Sequence, residues 1–419
     1  GGRLMSTAQK DDVFDIFGKK WKNVGNLDYV ACWYKKATDY IQGTNIRCAL
    51  VSTNSISQGE QVSALWTPLF ESGVHIDFAY RTFRWDSEAS LKAHVHCVIV
   101  GFSVAPNNKP KYIYQGDQKK EVKNINGYLI NASNVGVESR NKPLCEVPEM
   151  VFGNMPNDGG LLSNYSTKEK EELVSKYPTA LPLFKKILGA EEFINNKERW
   201  CLWLVGVSPS LIRNIPFIIE KVNAVRDLRS ASNRESTKRL ADTPTLFGEI
   251  RQPDCSYLLV PSTSSERRRY VPIGFIDKNV ISSNANLIIP NATLYHLGIL
   301  TSNVHNGWMR AVCGRLKSDY RYSAKIVYNN FPWPNPSEEQ KAKIEQTAQA
   351  ILDARAKYPD CSLADLYDEV AMPVELRRAH QDNDRAVMEA YGFPVSRDFT
   401  ESDCVAELFK MYQILTGDN

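Results

Sequence analysis

The alternation of apolar and polar positions predicts an α/β unit in the first hundred residues. Apolar residues recur at helical spacing from Leu27 to Ile41, with Asn26 as a candidate N-cap and Gly43 as a stop. The apolar run IRCALV (46–51) is typical of a buried strand. A helix followed by a buried strand begins an alternating α/β pattern.

The pattern then predicts a hairpin. After the small polar turn STNS (52–55), a helix is predicted from Glu60 to Glu71 and strands over 74–81 and 94–102. The link between these strands carries no helical pattern, so they should pair antiparallel, because a parallel pair needs a crossover of a dozen or more residues. This order describes the second half of a parallel sheet that ends in one reversed strand. The apolar edge of the 46–51 strand must then be covered by another segment.

The remainder of the chain divides into a mixed region and a helical region. A helix-like stretch over 167–186 precedes short strands that alternate with turns, and a basic helical stretch lies near 215–240. From Ser337 the pattern is helical, with three capping boxes: Ser337 with Gln340, Ser362 with Asp365, and Thr400 with Asp403. The predicted domains are α/β for residues 1–110, mixed α+β for 111–335 and all-α for 336–419.

Composition limits the class of protein. The 419 residues are 43% hydrophobic and 24% charged, as in a soluble globular protein. The apolar runs are of strand length and the N-terminus has no apolar signal core, so we expect a cytoplasmic protein without membrane spans. Nine cysteines occur without a CxxC pair, which favours free thiols and no metal site.

Charge is unevenly distributed along the chain. Residues 221–325 hold 16 Lys/Arg and 8 Asp/Glu, a net of +8, whereas 337–419 hold 9 and 17, a net of −8. This asymmetry is typical of a nucleic-acid reader with a separate helical module, although a fluctuation of surface charge is the alternative on charge alone.

Three short segments carry candidate chemistry. Phe83 and Trp85 lie in RTFRWDSEA (81–89), just past the end of a predicted strand, where two aromatic rings could stack on a flipped base or could pack in a core. The runs SSERRRY (264–270) and GRLKSDYRYS (314–323) mix Arg, Ser and Tyr, which donate to phosphates and bases. The candidate DNA-binding residues are Arg267, Arg268, Arg269, Arg315, Lys317 and Arg321.

Two other motifs favour a structural interpretation. Asn330-Phe331-Pro332-Trp333 is similar to the Asn/Asp-Pro-Pro-aromatic tetrapeptide of amino-group methyltransferases, but its second position is Phe and no cofactor strand precedes it. We therefore predict a structural turn there. His94 and His96 share one face of a strand without a third ligand, so a metal site is not expected.

Taken together, these segments resemble a known family. The chain is similar to the C-terminal two-thirds of large γ-class DNA adenine methyltransferases of type II restriction–modification systems, in which methylase and target-recognition domain share one chain. The resemblance covers essentially the whole chain. It rests on these segments: LDYVACWYKKA (27–37), ALVSTNSISQGEQV (49–62), FRWDSEA (83–89) followed by VHCVIVGF (95–102), FGNMPNDGG (152–160), GAEEFINNKERWCLWL (189–204), SSERRRYVPIGF (264–275), GRLKSDYRYSAKIVYNNFPWP (314–334) and SLADLYDEVAMPVELRRAH (362–380).

The resemblance implies a partial Rossmann-like methyltransferase sheet, a target-recognition domain and a small helical segment. Phe83, or failing it Trp85, would stack on the extruded adenine, and the turn that contains Asn54 would border the base pocket. Leu27 and Tyr29 would flank the adenine of S-adenosylmethionine. The implied partners are double-stranded DNA and an upstream half of the methyltransferase domain.

The resemblance also implies what this chain lacks. The family's Gly-rich cofactor loop and its catalytic Asn-Pro-Pro-Phe lie upstream of a Gly-Gly pair like Gly1-Gly2, so we expect a fragment that binds DNA without catalysing methylation alone. Two alternatives stay open, a non-catalytic DNA-binding specificity module and, less favoured, an RNA methyltransferase. The recognised bases and the oligomeric state are not fixed by one sequence.

Overall fold

A computed structural model describes residues 4–86, 94–106 and 108–417. Gly1, Gly2 and residues 87–89, which carry part of the family resemblance, lie outside this range. The helices are α1 (Thr7–Phe17), α2 (Ala31–Ile41), α3 (Glu60–Glu71), α4 (Thr167–Lys176), α5 (Ala190–Asn195), α6 (Pro209–Arg213), α7 (Pro216–Ser230), α8 (Glu235–Arg239), α9 (Leu294–Thr301), α10 (Asn303–Val312), α11 (Glu338–Ala356), α12 (Leu363–Leu366), α13 (Val374–Tyr391) and α14 (Glu401–Thr416). The strands are β1 (Arg47–Thr53), β2 (His75–Asp86), β3 (His94–Ser103), β4 (Lys111–Gln115), β5 (Gln118–Val122), β6 (Val151–Phe152), β7 (Phe184–Leu188), β8 (Trp200–Leu202), β9 (Tyr257–Pro261), β10 (Thr263–Ser264), β11 (Gly274–Ile276), β12 (Ile281–Ser282), β13 (Asn286–Pro290), β14 (Gly314–Leu316) and β15 (Asp319–Arg321).

The chain forms two compact units that do not follow its linear order. The first unit consists of Gly1–Val147, Asn303–Ser337 and Val387–Asn419, and the second of Pro148–Ser302 and Glu338–Ala386. The helical C-terminal region therefore contributes to both units, as does helix α13.

A five-stranded sheet in the order β1-β3-β2-β4-β5 organises the first unit. Strand β3 pairs antiparallel with both β1 and β2, so β1 and β2 run parallel with the reversed strand between them. The predicted hairpin over 74–81 and 94–102 is confirmed. The prediction that the sheet ends in one reversed strand is wrong, because the reversed strand β3 lies inside the sheet between β1 and β2. Strand β1 lies at the edge of this sheet, as the sequence pattern indicated.

Two further details of the predicted α/β unit are wrong. Helix α2 begins at Ala31 and not after Asn26, because Val24–Asn26 forms a 3₁₀ turn and the Asp28 amide donates to the Gln61 side chain. Strand β1 is not buried, since an edge strand has a neighbour on one side only, and Val51 is 56% exposed.

Strands β4 and β5 extend the sheet past residue 110. Strand β4 runs parallel to β2, and the Tyr80 and Tyr114 rings stack at 4.3 Å between centroids. A two-residue turn joins β4 to β5, with Gly116 at φ 56°, a left-handed conformation that favours glycine. Gly116-Asp117 between alternating residues is the sequence signal that identifies this hairpin.

Aromatic packing supports the turn that follows β1. Trp66 of α3 is fully buried, and its indole N–H donates to the Ile56 carbonyl at 2.9 Å. Tyr34 of α2 packs edge-on against Trp66 and shares a 2.9 Å hydrogen bond with Ser52. These contacts hold the 3₁₀ turn Asn54–Ser57 against the core.

The second unit contains an antiparallel sheet in the order β11-β9-β13-β6 and a smaller sheet in the order β12-β7-β8. The predicted helix over 167–186 is only partly correct. Helix α4 ends at Lys176 because Pro178 and Pro182 impose a 3₁₀ turn, and β7 follows. The basic helical stretch near 215–240 is confirmed as α7 and α8.

Buried polar side chains hold the second unit together. The Asp158 carboxylate accepts from the Gly160 and Leu162 amides at 2.9 and 2.7 Å, which stabilises the turn at the end of the segment FGNMPNDGG. Arg229 of α7 has no exposed surface and donates to five backbone carbonyls: Pro156, Asn157, Leu240, Thr243 and Leu246.

The predicted helix starts near the C-terminus are largely confirmed. Ser362 with Asp365 begins α12 and Thr400 with Asp403 begins α14, each as a reciprocal capping box. All nine cysteines are free, as predicted.

Candidate functional site

The turn after β1 touches the strand that carries the predicted aromatic pair. Asn54 is 8% exposed, and its side-chain amide donates to the Thr82 hydroxyl at 3.4 Å. The Ser57 hydroxyl donates to the Asn54 carbonyl at 2.9 Å, which closes the turn. The turn is therefore fixed next to the residue that precedes Phe83.

A β-bulge in β2 sets the direction of the aromatic side chains. Tyr80 lies opposite Ile99 and Phe83 lies opposite Cys97, so β2 has one more residue than β3 across this interval. Bulges of this kind re-aim side chains and are common beside active sites. Strand β2 continues to Asp86, so the prediction that the aromatic pair lies past the strand's end is wrong.

Phe83 and Trp85 lie on one face of the strand beyond the bulge. Their ring centroids are 6.3 Å apart, with 49° between the ring planes. Trp85 is 53% exposed and Phe83 is half-buried, so the pair is not sealed in the core. Two partly exposed rings on one face of β2, directly after the residue that bonds Asn54, form a surface on which a planar base can stack.

Arg81, within the bulge, was not predicted from the sequence. Its guanidinium donates to the Gln115 side chain at 3.1 Å, and burial lowers the pKa of Arg81. It lines a cavity of about 250 Å³ in the first unit. Arg81 also interacts electrostatically with three residues of the same unit: Glu401, Tyr320 and Arg315. These partners are distant in sequence, and no local pattern identifies them.

The two residues expected near a cofactor are engaged within the protein. Leu27 has no exposed surface. The Tyr29 hydroxyl donates to the Asp12 carboxylate at 2.8 Å, and this hydrogen bond raises the pKa of Tyr29. Neither residue by itself forms a cradle for S-adenosylmethionine.

The 264–270 run forms an exposed turn in the second unit. The Arg268 amide donates to the Ser265 carbonyl at 3.1 Å. Arg267 and Arg269 are exposed and Arg268 is half-buried. The Arg269 guanidinium lies 5.5 Å from the centre of the ring of Tyr270, which is buried.

The 314–323 run contains a tight hairpin in the first unit. Strands β14 and β15 pair antiparallel, and Lys317 sits in the turn between them at φ 58°. Lys317 and Arg321 are exposed. Arg315 is partly engaged, since it donates to the Ser318 carbonyl at 2.9 Å and lies 4.2 Å from the Tyr320 ring centre. Three of the six predicted DNA-binding residues thus lie in each unit.

Asn330-Phe331-Pro332-Trp333 is a structural turn, as predicted. Asn330 and Phe331 have no exposed surface. The Asn330 side-chain nitrogen donates to the carbonyls of Glu138 and Lys325, each at 2.8 Å, and its oxygen accepts from Arg140 at 3.0 Å. The amide is fully used by the protein and faces no open site.

Within the described residues, no group of three His, Cys, Asp or Glu side chains has the geometry of a metal site. Over the same part of the chain, none of the helices combines the length and the apolarity that crossing a bilayer requires.

Comparison with known proteins places each part of the chain. Residues 1–115 match the MmeI DNA-methyltransferase domain, residues 131–335 match the MmeI target recognition domain, and residues 336–418 match the MmeI C-terminal domain. This order of domains agrees with the predicted order.

Individual relatives agree with these matches. DNA methyltransferase A of Bacillus subtilis (strain 168) is 41% identical over 99% of this chain, and the match covers 47% of the relative. A second relative is the type IIL restriction–modification enzyme MmeI, whose structure was solved in complex with DNA. Its sequence is 46% identical to this chain and its fold matches with a TM-score of 0.92. The match covers 100% of this chain and 56% of the MmeI chain. The chain thus spans about half the length of the relatives it matches.

These findings define first a class of protein, in which a methyltransferase-type domain, a target recognition domain and a C-terminal domain follow one another in one chain. Each of the three domains belongs to the MmeI family. The resemblance to type II restriction–modification methyltransferases is confirmed. The expectation that the catalytic tetrapeptide precedes Gly1 stays a prediction.

Proposed function

We propose that the protein is a site-specific DNA methyltransferase of a restriction–modification system, and that it modifies the N6 amine of adenine in duplex DNA. The first unit supplies a wall of the pocket for the target base. The second unit contains the greater part of the matched target recognition domain, residues 148–302, and reads the sequence, with further phosphate contacts from the β14–β15 hairpin of the first unit.

The observation that carries this proposal is the aromatic pair beside the Asn54 turn. A base inside a duplex is inaccessible, so the enzyme must extrude it at a cost of a few kcal/mol. Stacking on an aromatic ring returns roughly 1–3 kcal/mol per base. Phe83, half-buried and held by the bulge, offers such a ring in a fixed orientation.

The chemistry requires positioning more than it requires a reactive side chain. The N6 amine is conjugated to the purine ring and is a poor nucleophile, so hydrogen bonds that localise its lone pair favour reaction. Correct alignment of the two reactants can supply a large part of the rate gain. Phe83 orients the base, and Asn54, through its bond to Thr82, keeps the adjoining turn in place.

S-adenosylmethionine is the methyl donor in this proposal and supplies an electrophilic methyl group. The described residues do not fit this cofactor by themselves, since Leu27 is buried and Tyr29 is bonded to Asp12. The sequence also contains no Gly-rich loop of the dinucleotide type. No step of the mechanism is therefore routed through these residues.

The outer edge of strand β1 is a place where a further part of the domain can pair with the sheet. Val51 of the edge strand β1 is 56% exposed, and Ile46, which immediately precedes β1, is 46% exposed. Apolar strand edges that remain uncovered promote aggregation. We infer that a further part of the methyltransferase domain, upstream in the family's order, pairs with β1 and contributes the cofactor contacts.

Substitution of Phe83 tests the proposal directly. In the protein expressed from its complete gene, Phe83→Ala should reduce the single-turnover methylation rate by about tenfold or more, because only the extruded state loses its stacking partner. Overall DNA affinity should fall far less, because phosphate contacts elsewhere hold the duplex. Filter binding and single-turnover methylation measure the two effects.

Two controls accompany this experiment. Phe83→Trp should retain most of the rate, because it preserves the aromatic face. Phe14→Ala removes another exposed phenylalanine, on α1, and should change neither quantity. Equal losses of rate and affinity in Phe83→Ala would assign Phe83 to core packing.

A non-catalytic specificity module is the second candidate, because the sequence contains no Asn-Pro-Pro-aromatic motif. Such a protein would bind its cognate DNA with full specificity, and the product of its complete gene would transfer no methyl group to DNA.

A further inference from the structure

The β14–β15 hairpin, Gly314–Arg321, has a stiff and exposed tip. Its two strands are joined by only Lys317 and Ser318, and Arg315 braces the turn through the Ser318 carbonyl and the Tyr320 ring. Lys317 adopts φ 58°, a conformation that non-glycine residues seldom occupy outside constrained or functional sites.

An apolar side chain stands at this tip among cations. Leu316 is the last residue of β14 and is 57% exposed, with Arg315 before it and Lys317 after it. An isolated exposed leucine is unremarkable on a protein surface. A leucine that flanks the two-residue turn of a hairpin, between an arginine and a lysine, is similar to the apolar side chains that other proteins insert between DNA base steps.

The base of the hairpin is tied to the turn that borders the base pocket. The Gly59 amide, which follows the Asn54–Ser57 turn, donates to the Val312 carbonyl at 3.2 Å. A Cβ on Gly59 would lie 3.4 Å from the Gly314 Cα and N atoms, so the two backbones are in contact. Gly59 has φ 53°, a conformation available to glycine at little cost.

The same hairpin also lies within electrostatic range of the bulge of β2. Arg81 lies two residues before Phe83 and interacts electrostatically with Arg315 and Tyr320. The hairpin is thus anchored at the Asn54 turn through Gly59, and it lies within electrostatic range of the bulged end of β2.

We propose that Leu316 is a wedge that enters the duplex at the position vacated by the target base, and that Lys317 holds the neighbouring phosphate. The inference rests on the proposed function, because it assigns the hairpin to the extrusion step of that reaction. Extrusion leaves a gap in the base stack, and an apolar side chain that fills the gap slows the return of the base. Leu316 is a positioning residue, since it acts on the duplex and not on the reacting amine.

A fluorescent base analogue tests the wedge in the protein expressed from its complete gene. 2-Aminopurine replaces the target adenine in a cognate duplex, and its emission rises when the base leaves the stack. Leu316→Ala should lower this emission and slow single-turnover methylation of the normal duplex by about tenfold. Leu316→Met should retain both properties, because it keeps a flexible apolar side chain of similar volume.

A mismatched substrate separates a wedge from a merely structural role. Opposite a mismatched partner the target adenine is already destabilised, so Leu316→Ala should methylate this substrate within about twofold of the unsubstituted protein. Leu181→Ala, at a leucine of the second unit that is 53% exposed, should leave both substrates unaffected.

The outcomes distinguish the wedge from the function on which it rests. If the unsubstituted protein methylates adenine and Leu316→Ala behaves identically, or loses equal rate on matched and mismatched DNA, the wedge is overturned and the proposed function stands. If the unsubstituted protein neither raises the emission nor methylates adenine, the result contradicts both the wedge and the proposed function.

Discussion

Two arginines of the second unit, Arg229 and Arg267, have opposite surroundings. Arg229 is fully buried and donates to five carbonyls, whereas Arg267 projects from an exposed turn. Both belong to the basic region found in the sequence. Composition alone does not separate them, because burial depends on the loops around 156 and 243 that surround α7.

The buried guanidinium allows a prediction about stability. Arg229→Met should lower the free energy of unfolding of the second unit by at least about 3 kcal/mol, because several buried carbonyls lose their donors at once. Arg226→Met, on the exposed face of the same helix, should cost under about 0.5 kcal/mol. Urea titration followed by hydrogen exchange in α7 measures both, and equal stabilities would show that the carbonyls find other donors.

Among the elements, local sequence signals predicted some boundaries and not others. Helix α3 spans Glu60–Glu71 as predicted, since its apolar spacing and the break at Gly73 are local. The start of α2 depends on Gln61, a contact thirty-three positions from Asp28, and was misplaced. The aromatic pair was expected past the end of a strand and instead lies within β2, and its role stays a prediction. The surroundings of Arg81 and the attachment of the β14–β15 hairpin to Gly59 depend on tertiary contacts that no local pattern encodes, although the 314–323 run itself was identified from its composition.

The two basic runs should act on DNA in different ways. We expect Lys317 at the hairpin tip to contact a phosphate. Lys317→Ala should therefore weaken the binding of cognate and non-cognate DNA alike, and should reduce the slope of log binding constant against log salt concentration by about one. Alanine substitution of at least one of Arg267, Arg268 and Arg269 should weaken the free energy of binding to the cognate site by ~1–3 kcal/mol and change non-cognate binding much less. The reason is that base contacts discriminate at single positions.

Binding isotherms across a salt series test both statements about the basic runs. Lys120→Ala is a useful control, because Lys120 already pairs with Asp403 at 3.7 Å. Unchanged affinity and salt dependence in all three arginine variants would place the recognition surface elsewhere.

For the whole molecule, charge and fold divide the chain differently. The acidic 337–419 region is continuous in sequence, yet its helices are shared between the two compact units. Composition along the sequence therefore predicted the order of the domains. It did not predict the two compact units, because contacts between distant segments determine them.

These 419 residues in isolation should lack a site for the methyl donor. The chain alone should not bind S-adenosylmethionine at micromolar concentrations, because Leu27 and Tyr29 are already engaged and no Gly-rich loop is present. Calorimetric titration measures this. A micromolar or tighter dissociation constant would mean that the cofactor site lies within the chain.

The most direct test of the account is the identity of the methylated base. The protein is expressed from its complete gene in a host that lacks DNA methylation, and the genomic DNA is sequenced with detection of modified bases and analysed by mass spectrometry. The account predicts N6-methyladenine at one recurring sequence, lost in the Phe83→Ala variant. Methylcytosine, or DNA without any modified base when the protein is abundant and folded, would contradict it.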